Sequence, residues 1–327
     1  MSSPSTLRLT ISPEEAGQTL LDVVAAALGD DRADAMRLIA HGGLWVDGER
    51  LYNATAAARS GSEIAIHRPA AGSYAEATVL AEQILYEDDD LIALDKPPGA
   101  YVDSTPWDAD GNLHAALGRF LAARDGVAPR LHLAHRLDRD TTGVLLFSCN
   151  PAVNRALQVA FAGGATHWPN PAASMTGLAH KEYLCLCQGE PAEDRFEIAT
   201  GHGRERHGRF RVYPFEEIGR LLPDGSRVKG MRTRFQLEQR LGDAALVRAF
   251  PLTGRTHQIR LHLAWLGHPL LGDLKYGGPP TWRDQPIPYH LLHAEQLTLP
   301  HPRTTAPLVI VAPAPSWLVT LNADSPA

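Results

Sequence analysis

The sequence predicts an α+β fold in which a mixed, mainly antiparallel sheet with flanking helices follows a small α/β module. Two observations support this prediction. Strand-like segments greatly outnumber helical ones beyond residue 79, and they follow one another almost without interruption from about 195 to 251. Residues 16–68 instead show apolar residues at helical spacing, followed by a short hairpin pattern.

The predicted organisation has four parts. Residues 1–15 are expected to form a flexible N-terminus, 16–68 the small module, 69–78 a linker of small and polar residues, and 79–327 the larger domain. Within the module, Gly42-Gly43 ends the second helix and Asp47-Gly48 supplies a two-residue hairpin turn.

The larger domain alternates strands with a few helices. ILYEDDDLIALDKPPG predicts two strands around an acidic turn, and Asn112 is placed to cap a helix over LHAALGRFLAAR. TGVLLFSC and HKEYLCLCQG each predict a strand. Between them the sequence predicts a helix that begins at Pro151 and then an irregular loop over 163–177. A helix over THQIRLHLAWLG and two further strands complete the domain.

The composition is that of a soluble globular protein. Of the 327 residues, 44% are hydrophobic and 21% are charged, and no apolar run approaches the roughly 18 residues of a membrane span. The N-terminus lacks the basic start and apolar run of a signal peptide. The three cysteines form no disulfide framework. We therefore expect a cytoplasmic protein without a membrane partner, and we expect a monomer.

The charge is unevenly distributed along the chain. The net charge is −6, but residues 1–95 carry 16 acidic and 6 basic residues, a balance of −10, and the remainder carries +4. Within that remainder, 204–240 contains ten Arg or Lys against five Asp or Glu. A polyanion would therefore meet the second part of the chain, although a solvated arginine-rich hairpin would show the same composition.

The paired histidines raise the possibility of a metal-dependent hydrolase. His132 and His135 form one HxxH pattern, and His290 and His293 form another. No HExxH motif is present, and no carboxylate stands at a convincing ligand spacing. We predict that the protein binds no metal.

The segment LHLAHRLDRDTTGVLLF concentrates charge immediately before a strand. Arg136 and Arg139 bracket Asp138, so this carboxyl group could remain ionised even when it is partly buried. A fixed, poorly solvated carboxylate can act as a nucleophile or a base, although an ordinary ion pair is the simpler interpretation.

A second dense segment, 250–278, begins a helix with several hydrogen-bond donors. Arg255, His257, Gln258 and Arg260 follow a Thr-Gly bend, and the guanidinium groups could bind a carboxylate or a phosphate. No glycine-rich nucleotide loop accompanies them, so we expect no cofactor. Together, the two segments and the basic hairpin point to a polyanionic substrate.

These segments resemble a known family. HRLDRDTTGVLLF and GRTHQIRLHLAWLGHPLLGDLKYG closely resemble the two signature motifs of the RluA-type RNA pseudouridine synthases. LIALDKPPG, HKEYLCLCQG and LLHAEQLTLPHP resemble three weaker motifs in the same order, so the resemblance spans about 80 to 302. Residues 16–68 are similar to the α-L RNA-binding domain often fused ahead of such enzymes, but Asp30, Asp31 and Asp34 stand where a basic helix is usual.

The resemblance implies a pseudouridine synthase-like fold and isomerisation of specific uridines in rRNA or tRNA. By the same resemblance, Asp138 is the catalytic aspartate, and it attacks the ribose or acts as a base at it. Tyr183 lies beneath the target base and helps in proton removal, and Arg260 pairs with Asp138. Arg136 enters the RNA helix in place of the flipped uridine.

Several of these assignments have alternatives. Lys96, Arg255, His257 and Gln258 complete the predicted RNA-binding set. Lys96 could instead shape its loop, Arg255 could tie its motif together, and Tyr183 could be a core residue. His257 and Gln258 could be structural donors around the arginines. A non-catalytic RNA-binding relative would show much the same pattern.

Overall fold

A computed structural model of the protein describes residues 4–127, 129–166, 178–205 and 209–318. The chain forms two compact units. One comprises the described parts of Met1–Val79 and Ala100–Ala128, and the other comprises those of Leu80–Gly99 and Pro129–Ala327. A loop was predicted over 163–177. Residues 163–166 of it form the end of a helix, and 167–177 lie outside the described residues.

The secondary structure consists of short strands with five helices among the described residues. No described helix has the length and apolar character needed to cross a bilayer. In chain order the elements are β1 (Ser5–Thr10), α1 (Leu20–Ala27), α2 (Arg32–Ala40), β2 (Leu44–Val46), β3 (Glu49–Arg50), β4 (Glu63–Arg68), β5 (Ile84–Glu87), β6 (Leu91–Lys96), α3 (Leu113–Asp125), β7 (His132–Leu133), β8 (Thr142–Ser148), α4 (Asn154–Thr166), β9 (His180–Gln188), β10 (Arg195–Arg204), β11 (Phe210–Tyr213), β12 (Lys229–Arg240), β13 (Ala244–Pro251), α5 (Gln258–Trp265), β14 (Thr281–Trp282), β15 (Gln285–Pro286), β16 (Leu292–Pro300) and β17 (Pro307–Val311).

The first unit is built around a four-stranded antiparallel sheet in the order β1-β4-β2-β3. A reciprocal capping box between Thr19 and Asp22 begins α1. Asp47 and Gly48, both at positive φ, form the predicted hairpin turn. The N-terminus differs from the flexible segment expected over 1–15, because Ser5–Thr10 pairs with all of β4 and so completes the edge of the sheet.

Residues 100–128 belong to the first unit, whereas the sequence analysis placed them in the larger domain. Two long-range hydrogen bonds explain the difference. The indole Nε1 of Trp45 donates to the carbonyl of Pro106 at 2.8 Å, and the amide of Ala109 donates to the carbonyl of His41 at 2.9 Å. Local periodicity contains no sign of such contacts. Asn112 caps α3 as predicted, its side chain accepting from Ala115 at 3.0 Å.

The second unit contains an eleven-stranded sheet in the order β11-β10-β12-β13-β9-β16-β8-β6-β5, with β17 beside β16 and β7 beside β8. All described pairs are antiparallel except β16 with β8, which run parallel. The prediction of an α+β fold with a mixed, mainly antiparallel sheet is confirmed. Helix α5 packs on this sheet through Ile259 and Leu263, which join a buried cluster with residues of β9, β12, β13 and β16.

Four of the buried histidines of this unit are bonded within the fold and have strongly lowered pKa values. His262, fully buried, lies between Thr200 at 3.1 Å and Thr233 at 2.8 Å. Burial lowers the pKa of His262 to about 3. It also lowers the pKa values of the other three, His202, His290 and His293, to about 4. All four are therefore neutral in the folded protein near pH 6.

These histidines predict that the protein is destabilised by mild acid. Their folded pKa values lie below the ordinary 6.5, so the unfolded chain binds more protons as the pH falls from about 6.5 towards about 4. Each can remove up to about 1.4 kcal/mol of unfolding free energy per pH unit. Urea denaturation should give a clearly lower midpoint at pH 5 than at pH 7.5. Equal midpoints would contradict the prediction.

Candidate active site

Asp138 lies in the irregular segment between β7 and β8, at the start of a turn. The amide of Thr141 closes the turn by donating to the carbonyl of Asp138 at 3.2 Å. Gly143 then enters β8 at φ +100°, and a Cβ there would lie 2.2 Å from the carbonyl oxygen of Ala294 on β16. Only glycine permits this close approach, which fixes the path of the chain just after the carboxylate.

The buried side chains of Lys96 and His290 hold the Asp138 turn through hydrogen bonds. The ammonium of Lys96 donates to the carbonyls of Arg139 at 2.6 Å and Pro97 at 2.8 Å. Burial lowers the pKa of Lys96 to about 7, and the charges of Asp140 and Asp138 partly oppose the shift. The ring of His290 bonds the hydroxyl of Thr141 at 2.9 Å. Because Lys96 has no exposed surface, this geometry favours the loop-shaping interpretation over contact with RNA.

Arg260 connects the Asp138 turn to α5. Its Nη1 donates to Oδ2 of Asp138 at 2.8 Å. Its Nε and Nη2 donate to the two carboxylate oxygens of Asp273 at 2.7 and 2.8 Å. The guanidinium is 7% exposed and Asp273 only 1%, whereas Asp138 retains 21% of its side-chain surface. The geometry therefore presents Asp138 towards solvent on a rigid arginine support.

The electrostatics of this site keep Asp138 ionised. Burial alone would raise the pKa of its carboxyl group, but the interactions with His257 and Arg260 outweigh burial and lower the pKa below the ordinary value. Burial lowers the pKa values of His257 and His290 to about 4, so both rings are neutral near pH 7. Arg260 is therefore the main permanent positive charge bonded to the carboxylate.

Tyr183 lies on β9 in the middle of the sheet, between Ala249 of β13 and Ala294 of β16. It is 9% exposed and belongs to a buried cluster that includes Leu137, the neighbour of Asp138. Burial, reinforced by the negative charge of Asp138, raises the pKa of its phenol. Tyr183 and Asp138 thus share one site, and the phenol retains its proton at neutral pH.

Two aromatic residues complete the wall around the carboxylate. His257, at φ 57°, precedes α5 and places its Nε2 3.8 Å from Oδ1 of Asp138. Its Nδ1 lies 2.6 Å from the hydroxyl of Tyr276. The guanidinium of Arg260 lies over the ring of Tyr276, 5.1 Å from its centroid. The Tyr276 ring packs against Arg260, and at 3.8 Å the His257 ring lies beyond hydrogen-bond distance of Oδ1 of Asp138.

The remaining predicted residues fall into different environments. Arg136 is exposed on the segment just before Asp138. Arg255 is half-buried and donates from Nε to the carbonyl of Gly230 at 3.0 Å. Gln258 is buried, and its amide bonds Thr253, the amide of Arg255, the carbonyl of Arg232 and Thr233. These bonds favour a structural role for Gln258 over contact with RNA.

The histidine pairs do not form a common site among the described residues. No group of three or more His, Cys, Asp or Glu side chains there is arranged to hold a metal ion. His290 and His293 instead bond Thr141 and Thr142, respectively. His135 lies outside the two-residue strand β7 and accepts from the amide of Leu146 at 3.2 Å.

Sequence reasoning missed two residues that this geometry brings to the site, Asp273 and Tyr276. Both stand in LLGDLKYG, within the second long motif, but no pairing partner was assigned to them. The sequence offered only the Gly272-Asp273 dipeptide, and the structure adds that Gly272 has φ +78° and packs against the backbone of Tyr289.

Asp273→Asn is expected to destabilise the fold by about 3–5 kcal/mol, because it removes the charge that compensates a buried guanidinium. Urea denaturation measures the effect. Asp194→Asn is a suitable control, since Asp194 is 81% exposed and pairs with Arg240 at 2.8 Å. We expect the control to change stability by less than about 1 kcal/mol. Similar losses in the two variants would show that Arg260 does not depend on Asp273.

Comparison with known proteins identifies a family for this chain. The model of the family described as RNA pseudouridylate synthase matches residues 90–265. The rice protein named RNA pseudouridine synthase 1 is 33% identical over 296 residues, covering 78% of this chain and 79% of its own length. The Escherichia coli protein named Ribosomal large subunit pseudouridine synthase C is 30% identical and covers 95% of this chain and 94% of its own.

A solved structure shows the same fold. The protein described as Human RNA Pseudouridylate Synthase Domain Containing 4 superposes with a TM-score of 0.57 at 24% identity, over 73% of this chain and 91% of that one. The family model, the extent of the curated relatives and the shared fold are in agreement. This chain belongs to the RNA pseudouridylate synthase family, whose enzymes isomerise uridine to pseudouridine in RNA.

Proposed function

We propose that this protein isomerises specific uridines in large-subunit ribosomal RNA and that Asp138 acts at the ribose of the target. The observation that carries the proposal is the partly exposed carboxylate of Asp138, which accepts a 2.8 Å hydrogen bond from the buried guanidinium of Arg260. In the reaction, the bond from ribose C1′ to uracil N1 breaks and a bond from C1′ to C5 forms. The proton lost from C5 is balanced by one gained at N1, so no oxidant or reductant is required.

Asp138 suits either of the two roles open to it. Attack at the sugar and removal of a sugar proton both require the ionised form of the carboxyl group. Arg260 supports that form through a direct hydrogen bond and is itself fixed by Asp273. Only one guanidinium nitrogen donates to Asp138, so its other oxygen can approach the substrate.

Tyr183 and Arg136 suit the roles implied by the family. The largely buried, protonated phenol of Tyr183 lies beside Asp138 and can support the uracil ring by contact. To accept the proton from C5, the phenol would first have to release its own proton. Arg136 is exposed two residues before Asp138, so it can enter an RNA helix while the flipped uridine occupies the site. A cation that fills the gap also offsets part of the cost of unstacking.

The choice of ribosomal RNA rests on the relatives that match almost throughout. The Escherichia coli and Yersinia pestis proteins named Ribosomal large subunit pseudouridine synthase C each span at least 95% of this chain and 94% of their own length. The match covers nearly the whole of this chain, and that extent supports the choice of ribosomal RNA. Transfer RNA is the alternative that the experiment below separates.

We further propose that the protein is a monomer in the cytoplasm. Asp138, Tyr183, Arg260 and Asp273 all come from one chain, so the site needs no second copy. Buried, reduced Cys185 and Cys187 are consistent with a reducing compartment. A dimer mass in solution by light scattering would overturn the first proposal, and fractionation of cells would test the second.

The experiment that tests the proposed function compares cells lacking this protein with the same cells given wild type, Asp138→Asn or Asp140→Asn. Pseudouridines are then mapped in total RNA. We expect wild type to restore modification in large-subunit rRNA and Asp138→Asn to restore none. Asp140→Asn is the control because Asp140 pairs with Arg139 at 3.0 Å and should retain activity.

Each other result has a definite meaning. Restoration by Asp138→Asn would refute the catalytic role of Asp138, and restoration in transfer RNA would refute the choice of ribosomal RNA. Filter binding of purified Asp138→Asn to large-subunit rRNA should match wild type, which separates lost chemistry from lost folding. Activity of purified wild type should survive a chelator, whereas loss would favour the metal-dependent alternative.

A further inference from the structure

The β10–β11 hairpin extends one face of the large sheet beyond the candidate active site. Directly opposed residues of antiparallel strands project from the same face, and so do residues two apart. Arg204 opposes Phe210, and His202 opposes Lys229 of β12. These four side chains therefore share one face, called here the hairpin face.

Ring contacts make the hairpin face continuous with the catalytic carboxylate. The ring of Phe210 stacks on His202 with centroids 4.9 Å apart and meets His257 edge-on at 5.8 Å. His257 in turn lies 3.8 Å from Asp138. The guanidinium of Arg204 lies over the Phe210 ring, 5.4 Å from its centroid. One aromatic residue thus separates Phe210 from the reacting group.

The hairpin face is cationic and accessible. Arg204 and Lys229 are exposed, Phe210 is half-buried, and half-buried Arg255 lies close enough to His202 to affect its pKa together with Lys229. Arg204 has a weak electrostatic interaction with Asp224, whose carboxylate is bonded to Ser226.

The opposite face of the same hairpin differs in charge. Arg211 there opposes Gly203, pairs with Glu205 at 3.5 Å and lies over Tyr213. The hairpin therefore presents a partly exposed aromatic ring with basic groups on the side of the active site, whereas on the other side Tyr213 is buried and Arg211 pairs with an acid.

We propose that the hairpin face binds an unpaired nucleotide next to the target uridine. The base stacks on the Phe210–Arg204 pair, and Lys229 and Arg255 contact the flanking phosphates. An aromatic ring beside an arginine plane is the combination that proteins use to hold unstacked bases, and stacking tolerates any base. The inference deepens the proposed function, on which it rests, by assigning the RNA neighbouring the flipped uridine to a surface built mainly by β10, β11 and β12, outside the two long motifs except for Arg255.

The test measures binding of a fluorescein-labelled single-stranded oligouridylate to the full chain by fluorescence anisotropy. Phe210→Leu keeps an apolar side chain but loses the ring, and we expect it to weaken binding about tenfold. Phe210→Tyr restores the ring and should bind like wild type. An abasic oligomer of the same length should bind Phe210→Leu and wild type alike, because it has no base to stack.

Arginine variants on the two faces provide a matched comparison. Arg204→Ala should weaken binding several-fold, because it removes the guanidinium half of the stacking pair. Arg211→Ala, on the opposite face of the same hairpin, should leave oligouridylate affinity within about twofold of wild type. Equal effects of the two arginine variants would overturn the assignment to one face.

The outcome for the inference can be separated from that for the proposed function. Pseudouridine formation in large-subunit rRNA is measured on the same wild-type preparation. Two results with an active wild type would show that the hairpin inference is wrong while the proposed function stands. In one, Phe210→Leu binds oligouridylate like wild type; in the other, wild type does not bind oligouridylate at all. If wild type binds through Phe210 but forms no pseudouridine, the proposed function fails and the hairpin face remains an RNA site.

Discussion

The buried guanidinium of Arg260 is the group on which the rest of the active site depends. It donates from two nitrogens to Asp273 and from a third to Asp138. Removing a charge of this kind from water costs several kcal/mol, and only a partner with good geometry compensates that cost. Asp273 provides such a partner through two short hydrogen bonds. Asp138 can therefore be bound more loosely and remain available to react.

The sheet fixes the two ends of this ion-pair chain independently. Helix α5 carries Arg260 and packs on the sheet through Ile259 and Leu263. The Asp138 turn is held by Lys96 from β6 and by the Gly143 contact with β16. The distance between donor and carboxylate is thus determined by packed strands rather than by a flexible loop. This rigidity is what lets a charged group perform chemistry without reorganising during the reaction.

The structure groups the residues predicted to be catalytic more closely than those predicted to contact RNA. Asp138, Tyr183 and Arg260 were named through their motifs, and the structure brings all three together. Lys96 and Gln258 were grouped with RNA-binding residues, yet both are buried and bonded within the protein. A motif identifies residue types, but whether a donor faces solvent depends on contacts with distant strands.

The same reason explains two differences in the fold. Ser5–Thr10 was expected to be flexible because its partner strand lies more than fifty residues away in sequence. Residues 100–128 were assigned to the larger domain. Their hydrogen bonds with Trp45 and His41 place them in the first unit, but such bonds leave no periodic pattern in the sequence. Tight local features were predicted well, including the Asp47-Gly48 turn and the Asn112 cap. Pairings that span many residues require the folded chain to identify them.

The distribution of charge in the two units indicates where RNA is recognised. In the N-terminal module, Arg32 pairs with Asp22, while Arg37 and Arg68 share Asp34. Arginines engaged in this way have little capacity to release counterions from a phosphate backbone. The hairpin face instead displays Arg204 and Lys229 beside an aromatic ring that leads to Asp138. Selection of the RNA is therefore expected to depend on the unit that performs the chemistry more than on the module that precedes it.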